Sequence, residues 1–395
     1  MQVKPFDKRI YLASPTMHGE EQMYVKEAFD TNWVSTVGAN LNALESEIGD
    51  ILGIEGTVAL SSGTSALHLA LKLAGIKPGD IVFGQSLTFD ASVNPIMYEH
   101  CTPVFIDSET DTWNMDPIAL KKAFEKYPNC KAVICVNLYG TPCKLDEIRK
   151  ICDEHNAVLI EDAAESLGAS YKGKMTGTFG DYNAISFNGN KIITTSGGGM
   201  LLTHSKEAAD KARKWSTQAR DNAPWYQHSE LGYNYRLSNI LAGIGRGQLI
   251  HLNEHIELKK KIYDRYKEGL KDLPIKMNPY LDYSKPIFWL SCIEILEEGM
   301  CKMERGDFTY SYVKESGKSC PEHIREKLLE YNVESRPIWK PMHLQPIYAG
   351  YDYIKVGDKD VCADIFDRGL CLPSDIKMSE EEQDIIIEII RDCFK

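Results

Sequence analysis

The sequence predicts an α/β fold, with a mostly parallel central sheet followed by a smaller C-terminal α/β domain. From about residue 55 to 205, short apolar runs alternate with amphipathic stretches, the pattern of strands joined by crossover helices. One run, Ala132-Val133-Ile134-Cys135-Val136, is continuously apolar, as a strand buried on both faces must be. From about residue 238 to 271 the pattern turns long and helical, which divides a large domain, residues 1–254, from a smaller one, residues 255–395.

Thr57-Val58-Ala59-Leu60 is read as the first strand. Ser61-Ser62-Gly63-Thr64 follows and opens a helix in which Ala66, Leu67, Ala70, Leu71 and Ala74 make one apolar stripe. Further strands are expected at residues 80–84, 102–106 and 132–136, a helix at 144–155, and strands at 157–160, 182–187 and 199–203. In the helical stretch, Lys259-Lys260-Lys261 is expected on a solvated face. The C-terminal domain is expected to hold a strand at 288–296, a helix at 321–331 and, between them at 297–318, a polar, glycine-punctuated loop or hairpin. Its last helix, 379–393, begins with Ser379 as N-cap and Glu382 as its capping-box partner.

The chain has 395 residues, 43% hydrophobic and 26% charged, an ordinary globular composition. A net charge of -12 argues against a nucleic-acid partner, which would need clustered lysine and arginine. Eleven cysteines, from Cys101 to Cys393, include no C-x-x-C pair and are read as core thiols in a reducing, cytoplasmic setting. Met1-Gln2-Val3-Lys4-Pro5-Phe6-Asp7 lacks the apolar core of a leader peptide. No apolar run approaches the ~18 residues that span a bilayer, and Cys393-Phe394-Lys395 is one residue short of a prenylation box. Neither a membrane partner nor a metal site is expected.

Chemistry concentrates at the ends of the expected strands. Lys191 lies just past a short apolar strand, five residues after Ser186 and shortly before Gly197-Gly198-Gly199. An amine held at a sheet edge can form an imine with an aldehyde cofactor. Asp162 follows the strand 157–160, and carboxyl ends of parallel strands are where such sheets bind ligands. An aspartate there can pair with a protonated pyridine nitrogen and keep the ring an electron sink. Ala164 is small enough to lie against a ring face, and Glu165 can meet a ring hydroxyl. Ser62-Gly63-Thr64-Ser65 opens a helix, where free backbone N–H groups and the helix dipole make a phosphate site. Ser186 offers a hydroxyl to the same phosphate, and Phe89 can stack on the other ring face. Each has an ordinary alternative: a helix-capping aspartate, a common turn before a helix, a core aromatic. Together they fit one ligand, pyridoxal 5'-phosphate.

The sequence also resembles the DegT/StrS-type sugar aminotransferases, pyridoxal phosphate enzymes of fold type I that aminate nucleotide-linked keto-sugars. The resemblance runs from Ser14-Pro15 to the last helix. Its most specific pieces are Ser61–Leu67, Glu161-Asp162-Ala163-Ala164-Glu165, Ser186-Phe187-Asn188-Gly189-Asn190-Lys191 and Gly232-Tyr233-Asn234-Tyr235-Arg236-Leu237-Ser238. It implies that Lys191 binds the cofactor covalently, that Asp162 meets the pyridine nitrogen, and that Ala164 and Phe89 flank the ring. Gly63, Thr64, Ser65 and Ser186 would hold the phosphate, with Asn188 nearby. Asn234 would reach the cofactor phosphate of a neighbouring subunit, making a homodimer the catalytic unit. Glutamate and 2-oxoglutarate are the implied amino donor and its product.

Glu165 stands where many members carry glutamine or histidine, so a proton shared between its carboxylate and the cofactor's 3'-oxygen is expected. Asn188-Gly189-Asn190 replaces a His-Pro type of spacer. Both features are similar to the branch that forms UDP-4-amino-4,6-dideoxy-N-acetylglucosamine, the PglE/EpsN type. Arg336-Pro337-Ile338-Trp339-Lys340-Pro341-Met342-His343 is like that branch too, with Arg336, Lys340 and His343 as candidate substrate contacts or an exposed basic loop. The alternatives are an aminotransferase for another dTDP- or GDP-keto-sugar, one for small amino or keto acids, a sugar dehydratase, or a non-catalytic regulatory protein on the same fold. Dehydratases of this kind carry histidine in place of the lysine, whereas this chain keeps Lys191.

Overall fold

The computed structural model describes residues 4–395. Met1, Gln2 and Val3 of the segment inspected for a leader lie outside the described residues. Two helices, α1 (Glu20–Asp30) and α2 (Ala39–Leu52), precede the central sheet. Its strands in chain order are β1 (Gly56–Leu60), β2 (Ile81–Gln85), β3 (Thr102–Ile106), β4 (Ala132–Val136), β5 (Val158–Asp162), β6 (Tyr182–Ser186) and β7 (Gly199–Thr203). From β2 to β6 every neighbouring pair is parallel, whereas β7 runs antiparallel to both β6 and β1. This is the mostly parallel α/β sheet that the alternating pattern predicts.

Burial explains why the strands are apolar on both faces. Helix α3 (Gly63–Leu73) lays Ala66, Leu67, Ala70 and Leu71 on one face, against Val58, Leu60, Ile160 and Ala184. Helix α4 (Leu145–Glu154) lays Ile148 and Ile151 on the other, against Phe83, Val133 and Leu159. Alternate residues of β4 therefore enter different cores, and each fully buried aliphatic side chain contributes about 1.5–3 kcal/mol. All eleven cysteines are buried and unpaired, as core thiols should be.

Several expectations are corrected. Strand β5 runs past residue 160, because Glu161 and Asp162 still pair with Cys135 and Val136 of β4. Asp162 is thus the last strand residue rather than the first loop residue. The helical stretch is two helices, α5 (Asn239–Leu249) and α6 (Leu252–Gly269), parted at His251. The His251 ring stacks on His18 and its nitrogens meet Glu20 and Glu254, and its backbone leaves the helical region there. The glycines of α5 serve close packing: a Cβ on Gly247 would lie 2.5 Å from the Glu21 nitrogen of α1. Lys259 does not share the solvated face of Lys260 and Lys261. It falls on the stripe of Leu252, His255, Ile262 and Tyr266, and only 5% of it is exposed. Its ammonium donates instead to the carbonyls of Trp289 (3.0 Å) and Ser374 (2.5 Å).

Beyond α6 a second, antiparallel sheet forms from β8 (Ile275–Met277), β9 (Ser291–Ile295), β10 (Arg336–Pro337) and β12 (Gly369–Leu372), in the order β8-β9-β12-β10. Between them β11 (Tyr353–Ile354) returns to pair in parallel with β3. The strand expected at 288–296 starts only at Ser291, because Phe288 takes a left-handed φ of 52° and turns the chain. Residues 297–318 include a hairpin, Met303–Arg305 against Tyr310–Tyr312. The last helix spans Glu380–Asp392, and its Ser379–Glu382 capping box is complete. Among the described residues no helix is long and apolar enough to cross a membrane.

Burial pulls the Lys259 amine down from 10.5 to about 8. Between those two values the unfolded chain binds the extra proton, so this group's contribution to stability rises with pH. Its cost of about 3 kcal/mol is fully present below pH 8 and disappears towards 10.5. Urea unfolding should therefore show wild type gaining on Lys259→Met between about pH 7.5 and about 10, and a pH-independent difference would refute the depressed amine. At the sheet edge, a Cβ on Gly199 would collide with the Gly63 nitrogen and lie 2.5 Å from the Ser62 carbonyl carbon. Gly199→Ala should lower the unfolding free energy by about 1–3 kcal/mol.

Candidate active site

A cavity of about 800 Å³ opens where β4, β5 and β6 end, between the central sheet and the C-terminal segment. Lys191 enters it from the turn that follows β6, a turn closed by the bond from the Lys191 N–H to the Asn188 carbonyl (3.0 Å). Its amine lies 3.2 Å from a Glu165 oxygen and 4.0 Å from the centre of the Trp289 ring. Glu165 is held from the other side by the Tyr139 N–H, 2.7 Å from its second oxygen. Burial pushes the Glu165 carboxyl up, while Lys191 and the Tyr139 N–H pull it back. That direction agrees with a carboxyl able to carry a shared proton.

Asp162, at the end of β5, accepts from the Ser92 hydroxyl (2.7 Å) and the Ala164 N–H (3.0 Å). Burial raises its carboxyl above the ordinary range, against those two donors and the Lys191 charge. A cation brought to it would be strongly held, because a desolvated carboxylate has little water to compete. The Ser62–Gly63–Thr64 turn faces the same cavity together with Ser186. Ser62 caps α3, accepting from the Ser65 N–H at 3.0 Å. A Cβ on Gly63 would lie 3.1 Å from that of Ser186, so the cradle is tight. Ala164, Phe89 and Asn188 line the cavity as well, with Phe89 56% exposed at the mouth and 5.4 Å from the Trp339 ring.

Two candidates are placed elsewhere. Ser65 does not line the cavity; its hydroxyl bonds Ser62 (2.8 Å) and Ser61 (3.2 Å), a consequence of its place inside the helix cap. Arg336 and Lys340 line the mouth, Arg336 bonded to Glu334, but His343 does not. The His343 ring bonds Ser86 (2.7 Å) and Asp360 (2.9 Å) and stacks on Tyr353, so its nitrogens are occupied. Asn234 is exposed, outside this chain's cavity, beside Thr217. The sequence reading missed Ser92, which orients Asp162, and Trp289 and Trp339, which wall the cavity. Ser92 lies only three residues past Phe89 in the same post-strand turn, a findable signal. Trp289 carried none, since a loop far along the chain brings it in, whereas Trp339 lies within the 336–343 segment already singled out, between Arg336 and Lys340.

The donor set fits pyridoxal 5'-phosphate: an amine for the aldehyde, a buried carboxylate for the ring nitrogen and a helix N-terminus for the phosphate. Comparison with known proteins agrees. Residues 15–391 match the DegT/DnrJ/EryC1/StrS aminotransferase family. The Bacillus subtilis (strain 168) protein EpsN, assigned as a pyridoxal phosphate-dependent aminotransferase, is 46% identical over 98% of this chain and 96% of its own. GDP-perosamine synthase of Caulobacter vibrioides is 35% identical over 96% of each chain. A crystal structure of a DegT DnrJ EryC1 StrS aminotransferase from Brucella abortus superposes with a TM-score of 0.83 at 28% identity, covering 95% of both chains. The chain thus belongs to the DegT/DnrJ/EryC1/StrS aminotransferase family and is a pyridoxal phosphate-dependent aminotransferase.

Proposed function

We propose that the protein moves the amino group of glutamate onto a nucleotide-linked keto-sugar, converting UDP-4-keto-6-deoxy-GlcNAc into UDP-4-amino-4,6-dideoxy-GlcNAc for a bacterial surface glycan or protein glycosylation. The observation that carries it is the cavity. Its volume of about 800 Å³ leaves room beside a cofactor for a large second ligand, and its mouth holds two cationic side chains, Arg336 and Lys340, suited to a diphosphate. The Asn188-Gly189-Asn190 spacer and Glu165 favour the UDP-sugar branch. The likeness to a GDP-perosamine synthase favours a second reading, in which the substrate is a GDP-keto-sugar. The free buried thiols fit a cytoplasmic enzyme.

When bound, the cofactor supplies an aldehyde that condenses with amines and a ring that takes up the electron pair left when a neighbouring C–H bond breaks. Asp162 keeps a proton on the ring nitrogen, with its carboxylate fixed by Ser92 and Ala164. Glu165 shares a proton with the ring oxygen, and the N–H groups at the start of α3 receive the phosphate. The Lys191 amine would take the proton from the α-carbon of glutamate and pass it to the former aldehyde carbon, which frees the amine for the second half. In the second half it delivers a proton to the sugar carbon and so fixes its configuration. Asn234, exposed on its own subunit, serves the phosphate site of the partner in a homodimer.

Lys191→Ala should retain the cofactor yet lose ~10²–10⁴-fold in turnover, and normal turnover would remove Lys191 from the chemistry. A panel of nucleotide 4-keto- and 3-keto-sugars with glutamate, read by product NMR, should give the UDP-4-amino sugar. Activity on a dTDP- or GDP-sugar with none on UDP-4-keto-6-deoxy-GlcNAc would overturn the assignment of the nucleotide. In mixed dimers, Asn234→Ala on one subunit should impair the site built around the other subunit's Lys191, and an effect confined to its own site would refute sharing.

A further inference from the structure

We infer that Trp289 is a positioning residue for Lys191, and that the buried Lys259 anchors it. Three contacts converge on this one residue, two on its indole and one on its backbone carbonyl. The indole N–H donates to the Asn190 carbonyl at 2.7 Å, the peptide unit immediately before Lys191. The indole face lies under the Lys191 amine, 4.0 Å from ring centre to nitrogen. The Trp289 carbonyl accepts from the Lys259 ammonium at 3.0 Å, and that ammonium also holds the Ser374 carbonyl beside β12. Trp289 is 2% exposed and lines the cavity.

The arrangement has a directional logic. Lys191 follows an exposed run, Asn188 to Asn190, in which the Asn188 and Asn190 side chains bond only each other at 3.4 Å and the Asn188 N–H meets Ser186 at 3.3 Å. A long flexible amine on such a turn would otherwise sample many rotamers. The indole fixes both ends of it, the backbone through N–H and the head group through its π-face, opposite the Glu165 carboxylate at 3.2 Å. Whenever the amine is not bound to the cofactor, ring and carboxylate hold it inside the cavity. Lys259 keeps the Trp289 backbone, and with it the root of the indole, from shifting, because its ammonium donates its hydrogen bonds to the Trp289 and Ser374 carbonyls, with the Asp375 charge nearby. A buried cation with two carbonyl partners resists displacement, since moving either carbonyl strands it.

The proposal rests on the amino-transfer reading but is tested apart from it. Cofactor-free protein is mixed with pyridoxal phosphate alone, and the absorbance change is followed as the Lys191 nitrogen bonds the aldehyde carbon and one water leaves. Trp289→Leu should slow this capture at least tenfold, Trp289→Phe less, and Lys259→Met in the same direction as Trp289→Leu. With glutamate deuterated at its α-carbon, Trp289→Leu should lower kcat by ~10²-fold, as expected for a misplaced proton-transfer group, with KM within about threefold of wild type. The isotope effect should rise, because proton transfer becomes the slow step. In a Lys191→Ala background the Trp289 substitutions should cost nothing further. Capture at the wild-type rate with an unchanged isotope effect would make Trp289 a mere wall of the cavity and overturn the assignment. If Trp289→Leu does not fold, Trp289→Phe and Lys259→Met decide by the same two readings. Failure of the sugar panel would leave the capture result standing, so the two ideas fall separately.

Discussion

Asp162 and Glu165 lie three residues apart, both buried, at the end of one strand, and Lys191 is the amine between them. Desolvated carboxylates of like charge repel one another and resist ionisation, so this pair persists only where donors are already aimed at it. The Ser92 hydroxyl and the N–H groups of Ala164 and Tyr139 supply that aim. Each comes from a different loop at the carboxyl edge of the sheet, and Tyr139 adopts a left-handed φ of 52° to present its N–H. The sheet's order and register serve to bring those loops to one place.

The large-scale architecture was legible because burial dictates pattern. Strands β3, β4 and β7 fall where the apolar runs end, and the α3 stripe is continuous in sequence. Legibility failed where tertiary contacts override local signals. Lys259 belongs by composition with two surface lysines, but helical phase puts it on the buried stripe, where distant carbonyls await it. No local feature of the sequence announces those carbonyls. The break at His251 lacks proline or glycine and arises from partners on α1 and the segment before it.

The candidate site divides in the same way. Lys191, Asp162, Glu165, Gly63 and Ser186 were readable because each sits at a strand end or a helix start, positions that sequence periodicity locates. The assignments that moved concern side chains whose hydrogen-bonding capacity was used up elsewhere. Ser65 spends its hydroxyl on the helix cap and His343 spends both nitrogens on Ser86 and Asp360. A motif shows that a polar group is present, whereas its availability depends on neighbours that only the folded chain supplies. Trp289 is the converse, unmarked in sequence and central in space.

Strand β11 has only two residues, yet it pairs with Phe105 and Ile106 of β3 and comes from a point nearly 250 residues further along the chain. An outer strand with open N–H and C=O groups is a template for unwanted pairing with other chains. Here the C-terminal segment shields that rim, and it is made late, after most of the sheet has left the ribosome. During synthesis β3 stays bare until Tyr353 and Ile354 arrive. The nascent protein therefore passes through a window of exposure to self-association that its finished form narrows to a two-residue outer strand.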